Sequence, residues 1–286
     1  MRRFTSVLVV VCVLAGVALF ALGEMVSAPT LQNIGAPPAD LAIEPVSIST
    51  DPGPAVKGWF IAGIEGRGVV ILLHGIRSDR RSLVGRARFL SNAGYAVLLI
   101  DLQAHGESPG ERITFGYLEA GSVSAAVGYV RNRLPAERVG IIGLSLGGAA
   151  SVLTDAPLEV NAFVLEAVYS SLREAVENRI AVRLGEMGRH LAPLLLWQVR
   201  WRLGIDPDRL SPVNNIHRLG APVMIIAGAS DTRTTLENSR KLFAQARQPK
   251  IIWVLEQAGH QDFHRFAPAQ YEPRILGFLG GYLSTK

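Results

Sequence analysis

Six short apolar runs, each closed by a polar break, set the strongest constraint on what this chain can fold into. Val69-Val70-Ile71-Leu72-Leu73 is apolar without interruption, and residues 95–100, 139–142, 162–166, 222–227 and 251–255 are nearly so. Such runs are buried on both faces, which requires a sheet covered by helices on each side. Helical spacing fills the intervals. Leu83, Ala87 and Leu90 share one face and end at Gly94, a residue suited to a helix C-terminus. Val123, Ala126, Val127 and Val130 line another helix, and further helices are predicted over 146–154, 236–246 and 273–283. Residues 45–50 and 56–61 read as two shorter strands forming an antiparallel pair. Alternating strands and helices imply right-handed crossovers and a mostly parallel sheet. No internal repeat is visible, so residues 45–286 form one α/β domain.

Composition narrows the class. The chain is 49% hydrophobic and 19% charged, which excludes intrinsic disorder, and its 29 Gly and 16 Pro follow no fixed period. A single cysteine, Cys12, permits neither an internal disulfide nor a multi-thiolate zinc site. Mean hydropathy is nonetheless +0.25.

Residues 4–23, twenty in a row without a charge, account for much of that value. As a helix the run spans about 30 Å, the thickness of a bilayer hydrocarbon core. A secretory signal core is shorter, roughly 7–15 residues. The run therefore reads as a transmembrane signal anchor within residues 1–28. A cleaved signal is the competing reading, because Val26-Ser27-Ala28 resembles a cleavage site, although Pro29 follows it directly. Arg2 and Arg3 precede the span with no basic cluster just after it, which places the N-terminus inside and the domain outside the cytoplasm. Cys12 lies within the run and not at the end of a lipobox-like stretch. Residues 29–44, rich in Pro and Ala, read as a linker.

Net charge is +5 and falls to +3 without the two leading arginines. The arginines within 77–88 and 179–202 are interleaved with apolar residues at helical spacing and read as solvated helix faces, a minor role against an anionic membrane surface being the alternative. There is no basic tail, zinc-finger spacing or aromatic RNA-binding motif, so nucleic acid is not an expected partner.

The alternation breaks once. Residues 171–210 contain no strand-like run, while Ile180, Leu184, Met187 and Leu191 share a helical face and Trp197 and Trp201 lie four apart. This is read either as a small helical cap above the C-terminal ends of the strands, where open α/β sheets place their sites, or as extra core packing.

Gly143-Leu144-Ser145-Leu146-Gly147 is G-x-S-x-G set between a strand and a helix, the context that this motif needs. The glycines remove Cβ atoms from a sharp turn that projects the serine hydroxyl into a cleft. A serine needs a base oriented by an acid before it attacks. Of six histidines, His260 follows the last predicted strand in LEQAGHQDF, and Asp231 follows the preceding one in MIIAGASDTRTT. Ser145 as nucleophile, His260 as base and Asp231 as its orienting acid lie in the order this fold's chemistry requires. His264 competes for the base, and Asp262 and Asp155 are weaker acids that read as surface residues. An oxyanion requires two N–H donors, for which the backbone of Ile76 and Leu146 is expected. His74 is read as bracing its loop, and the cluster from Asp101 to Ser108 as a structured cleft loop rather than a metal site.

The set LLHGIRSDRRS, DLQAHGESPG, GLSLGGAAS, PVMIIAGASDTRTT and QAGHQDF resembles the α/β-hydrolase superfamily over residues 45–286. Its membrane-anchored serine hydrolases, similar to the Bem46-like and serine-aminopeptidase-like branches, match best. The resemblance implies an eight-stranded, mostly parallel sheet, a cap after the sixth strand and no cofactor. It places Ser145, Asp231 and His260 on the family triad and Ile76 and Leu146 on its oxyanion donors. Gln103-Ala104 departs from a common Arg-Gly before His105, and Glu119 is followed by Ala-Gly-Ser where many relatives carry an acid. The expected function is a membrane-tethered serine hydrolase acting on small-molecule or lipid-like carboxylic esters. A peptidase or amidase on the same triad is the alternative. A non-catalytic binding module is disfavoured, because no triad member is missing.

Overall fold

A computed structural model describes the chain from Arg2 to Thr285 apart from Asp51 and Pro52. The side chains of residues 2–5, 7–9, 11, 12 and 15 also lie outside the described residues. Eight strands form the central sheet: β1 (Ile43–Thr50), β2 (Gly53–Ile61), β3 (Val69–Leu73), β4 (Ala96–Ile100), β5 (Val139–Leu144), β6 (Ala162–Glu166), β7 (Val223–Gly228) and β8 (Lys250–Leu255). Their order is β8-β7-β6-β5-β3-β4-β2-β1. β1 pairs antiparallel with β2, and β2 antiparallel with β4; the remaining pairs are parallel. The expected sheet is the observed one.

The uninterrupted apolar runs follow from burial on both sides. Val69, Ile71 and Leu73 face a core shared with Val123, Ala126 and Ala149 on one side of the sheet. Val70 and Leu72 face a second core with Leu83, Leu90 and Leu279 on the other. Around the sheet lie α1 (Arg2–Ser27), α2 (Val84–Asn92), α3 (Glu119–Arg133), α4 (Leu146–Val152), α5 (Leu172–Leu184), α6 (Ala192–Leu203), α7 (Leu236–Gln245) and α8 (Pro268–Leu283). Gly94, at φ +90°, turns the chain just beyond α2 as its position predicts. The last helix begins five residues before the predicted start and carries Pro273 inside it, a residue that sequence reasoning takes for its first turn.

α5 and α6, with the short 3-10 helix Glu186–Leu191 between them, form the helical insertion expected at 171–210. Leu172, Leu196, Val199 and Leu210 give it a small core of its own, extended by Phe115 and Leu153 from the main domain. The helical face predicted from Ile180, Leu184, Met187 and Leu191 is not a core face: Leu184, Met187 and Leu191 are exposed.

The N-terminal segment departs further from expectation. Among the described residues no helix is long and apolar enough to cross a membrane. The transmembrane anchor expected at 4–23 therefore finds no support, and part of it falls on side chains outside the described residues. The C-terminal turns of α1 are instead held by polar groups of the domain. Gln198 donates to the Leu19 carbonyl at 3.0 Å, Arg202 to that of Phe20 at 2.6 Å, and Arg112 grips Glu24 at 2.8 and 3.2 Å. Arg77 reaches the carbonyl of Met25. Arg77 thus meets a carbonyl in the last turn of α1, at the negative end of the helix dipole. The segment read as a linker also lies against the domain: Thr30 and Leu31 pair with His105 and Gly106, and Ile34 is buried in the second core.

Candidate active site

The register of the sheet brings four loops to one edge. Leu73 pairs with Gly143 and Leu144 with Glu166, so the turns leaving β3 and β5 emerge side by side from the same edge. Leu255 pairs with Gly228, which aligns the exits of β8 and β7 likewise.

Ser145 occupies the turn between β5 and α4 at φ +46° and ψ −106°. A positive φ is costly for a serine and persists only where the surroundings fix it. Its N–H donates to the Glu166 carbonyl at 2.8 Å, and the Gly147 N–H donates to that of His74 at 3.1 Å. A Cβ on Gly147 would lie 2.6 Å from Leu73 Cβ and 2.7 Å from the His74 oxygen. On Gly143 it would come within 2.6 Å of the Gly148 backbone. Glycine is thus a steric requirement on both sides of the serine.

A Cβ on Gly75 would stand 3.7 Å from Ser145 Cβ, so the loop after β3 approaches the serine directly. The N–H groups of Ile76 and Leu146, the expected oxyanion donors, have no backbone or side-chain acceptor among the described residues. Leu146 opens α4, where the helix dipole adds to its partial positive charge.

Asp231 and His260 are joined as expected, with His260 Nδ1 2.8 Å from Asp231 Oδ2. Close backbone packing sets the two loops against each other: a Cβ on Gly228 would fall 2.3 Å from the Ala258 oxygen. Asp231 Oδ1 accepts the N–H groups of Arg233 and Thr234 at 2.8 and 2.9 Å. Burial pushes the Asp231 carboxyl up, but hydrogen bonding and charge from His260, with the donors of Thr234, outweigh it and hold the group below its ordinary value. The hydroxyl of Thr234 donates to Asp231 Oδ2 at 2.6 Å and lies 2.9 Å from His260 Nδ1. Sequence reasoning missed Thr234; its signal is the spacing D-x-x-T, which lets a side-chain carboxylate accept from the turn that follows it. Among the described residues no hydrogen bond joins Ser145 to His260.

The competing candidates are occupied elsewhere. His264 is 2.8 Å from Glu272 and packs against Phe89 and Tyr271. Asp155 is at the surface, as expected. Asp262 is only partly exposed, because it faces the fully buried Arg86, whose Nη1 is 2.8 Å away as an ion pair without hydrogen-bond alignment. Arg86 also donates to Glu166 at 2.7 Å and to the Tyr271 hydroxyl at 3.1 Å, and Tyr271 bonds Glu166 in turn. Burial opposes the charge on Arg86, but Glu166, Tyr271 and Asp262 more than offset it and raise its pKa. Arg80 is likewise buried, paired with Asp101 and Glu107. The reading of 77–88 as a solvated face is corrected at both positions. Position 86 shares a helical stripe with Leu83 and Leu90, a signal that it points inward.

His74 braces its loop as expected, donating from Nδ1 to the Gly75 carbonyl at 2.8 Å and accepting the Leu102 N–H on Nε2 at 3.0 Å. Burial, with the charge of His105, lowers its pKa to about 3. As acid is added the unfolded chain therefore takes up this proton first, starting near pH 6.5. The stability contributed by neutral His74 is complete above that pH and is lost progressively toward pH 3. Between pH 7 and pH 5 the expected loss is on the order of 2 kcal/mol, read as a falling urea midpoint. His105, also lowered by burial, acts in the same direction. A midpoint that stays flat over this interval would contradict the assignment.

The strand order and the serine-bearing turn define the architecture of an α/β hydrolase. The model of the Alpha/beta hydrolase family matches residues 70–273, and the chain belongs to that family. It is similar to the uncharacterized protein Rv2307c of Mycobacterium tuberculosis, 27% identical over 91% of this chain and 89% of the relative. Human ABHD12B is 26% identical over 66% of this chain and 53% of its own. Among solved structures, the Pyrococcus furiosus esterase Pf2001 superposes with a TM-score of 0.73 at 23% identity, covering 89% of this chain and 99% of that one. An acetyl xylan esterase from Paenibacillus sp. R4 gives 0.65 at 18% identity over 93% and 92%. At these identities the two structures support the fold.

Proposed function

We propose that this chain is a serine hydrolase that cleaves small-molecule carboxylic esters through an acyl-enzyme. The observation that carries the reading is the pair of buried Asp231 and partly exposed His260 on loops that leave the same sheet edge as Ser145, itself held at positive φ. In this reading His260 Nε2 takes the Ser145 hydroxyl proton as Oγ attacks the ester carbonyl. The negative charge on the carbonyl oxygen is met by the N–H groups of Ile76 and Leu146. His260 then returns the proton to the departing alkoxide, leaving the acyl group on Ser145. A water molecule, deprotonated by the same imidazole, attacks that ester, releases the acid and restores the hydroxyl. Asp231 holds the Nδ1–H tautomer and stabilises the imidazolium, and Thr234 fixes the carboxylate. Esterases among the structural neighbours support an ester over another acyl donor.

A fluorophosphonate probe on the purified chain is expected to label one peptide, that containing Ser145. Hydrolysis of p-nitrophenyl esters of increasing acyl length, beside aminoacyl anilides, then divides esterase from peptidase. Faster cleavage of the anilides would replace the ester reading with the peptidase one, and absence of labelling would remove both. An extracytoplasmic domain is part of the same proposal; it rests on Arg2 and Arg3 ahead of the apolar run read as an export signal, and does not require that run to span the membrane. Protease digestion of intact cells or spheroplasts is expected to reach it.

A further inference from the structure

The outer surface of the cap presents apolar side chains that no core requires. α6 is apolar nearly all round: Leu196 and Val199 pack inward, while Leu194, Trp197 and Trp201 point outward at i, i+3 and i+7. A helix of that kind is ordinarily covered on every side. Yet Trp197 is 66% exposed and Trp201 63%, their rings stacked 6.3 Å apart and 3° from parallel. Leu184, Leu191 and Met187, the last 78% exposed, continue the surface toward the end of α5. The two indoles alone leave on the order of 300 Å² of apolar area in water. The patch extends onto α1, where Phe20 meets Trp201 at 6.1 Å and Val10, Val13, Leu14 and Val17 are also exposed.

Charge marks the kind of surface that would cover this face. Residues 171–210 hold seven arginines against five carboxylates, a net charge of +2, and of these Arg189, Arg200 and Arg202 are paired with Glu186, Asp206 and Glu24. Arg183 stands exposed between Val182 and Leu184, with no ion-pair partner among the described residues. Outward tryptophans beside arginines, on a helix with an apolar side, are what settles at the boundary between lipid headgroups and acyl chains. We infer that the cap, together with the exposed side of α1, docks peripherally on an anionic lipid surface, with Trp197 and Trp201 at the depth of the upper acyl carbons. This surface is separate from the hydrolase reading and stands if that reading falls.

The test is tryptophan quenching on the full chain, mixed with vesicles of phosphatidylcholine and phosphatidylglycerol whose acyl chains carry bromine near the headgroup. Trp59 and Trp253 are buried in the domain, so quenching reports the cap. The expected results are strong quenching of the wild-type emission and its disappearance in Trp197→Phe/Trp201→Phe. Trp197→Ser/Trp201→Ser is expected to weaken vesicle binding tenfold or more while leaving hydrolysis of a short soluble ester unchanged. Vesicle-bound protein whose emission is not quenched would overturn the inference, since α1 alone would then hold it. So would failure to bind vesicles, or a dimer in sedimentation that shields both indoles, which would assign the face to a second copy. If the serine variant fails to fold, quenching of the wild-type chain decides alone.

Discussion

Ser145→Ala is expected to lower kcat for a p-nitrophenyl ester by about 10⁴- to 10⁶-fold and to abolish fluorophosphonate labelling. The fold should survive, because alanine replaces only a hydroxyl and meets the same φ of +46° as the serine. The residual rate would come from Ile76, Leu146 and substrate positioning, which the substitution leaves in place. Asp231→Asn should cost about 10⁴-fold by itself. An amide can turn its NH₂ toward Nδ1, favour the wrong imidazole tautomer and lose the hydroxyl bond from Thr234. The double variant should be no slower than Ser145→Ala, because groups acting as one unit do not add. Steady-state rates on the three proteins, with thermal unfolding as the control, check this. A Ser145→Ala protein that retained most of its activity would place the nucleophile elsewhere.

Arg86→Met should be the most damaging single change to stability, at roughly 3–5 kcal/mol, because it strands buried Glu166 without its cation. In a chain of this size that is a fall in Tm of roughly 10 °C. Arg86→Lys should recover only part of it, since one ammonium cannot serve Glu166, Tyr271 and Asp262 at once. Arg86→Met with Glu166→Gln should be milder than Arg86→Met alone, as the stranded charge is then gone. Asp262 lies two residues beyond His260, so the same variants should also slow ester hydrolysis. Differential scanning calorimetry separates the outcomes. An Arg86→Met chain as stable as the parent would mean that desolvation cancels what the network returns.

The sheet was legible in the sequence because burial on both faces leaves an unmistakable apolar run. The turn at Ser145 was legible because Gly143 and Gly147 are steric necessities. Asp231 and His260 could be found because each stands just past a strand, and the structure joins them. What was hidden depends on tertiary partners. Nothing local announces that Arg86 meets a glutamate eighty residues away, and an arginine between apolar residues reads as solvated until its carboxylates are seen. The face of Leu184, Met187 and Leu191 had the spacing of a core helix, but periodicity cannot say whether protein or something else covers it. The apolar N-terminal run likewise gave no hint that Arg77, Arg112 and Arg202 grip the end of its helix.

The attachment of residues 30–34 to the body has a mechanical meaning. Sixteen residues of slack chain would let a domain wander through an end-to-end distance of roughly 20 Å. Here Thr30 and Leu31 are stitched to His105 and Gly106, Gln32 holds Asp79 at 2.8 Å, and Ile34 N–H reaches Glu107 at 3.2 Å. What looked like a leash is a bracket. The hydrolase-fold body therefore keeps one bearing relative to α1, and whatever seats that helix also orients the sheet edge that carries Ser145.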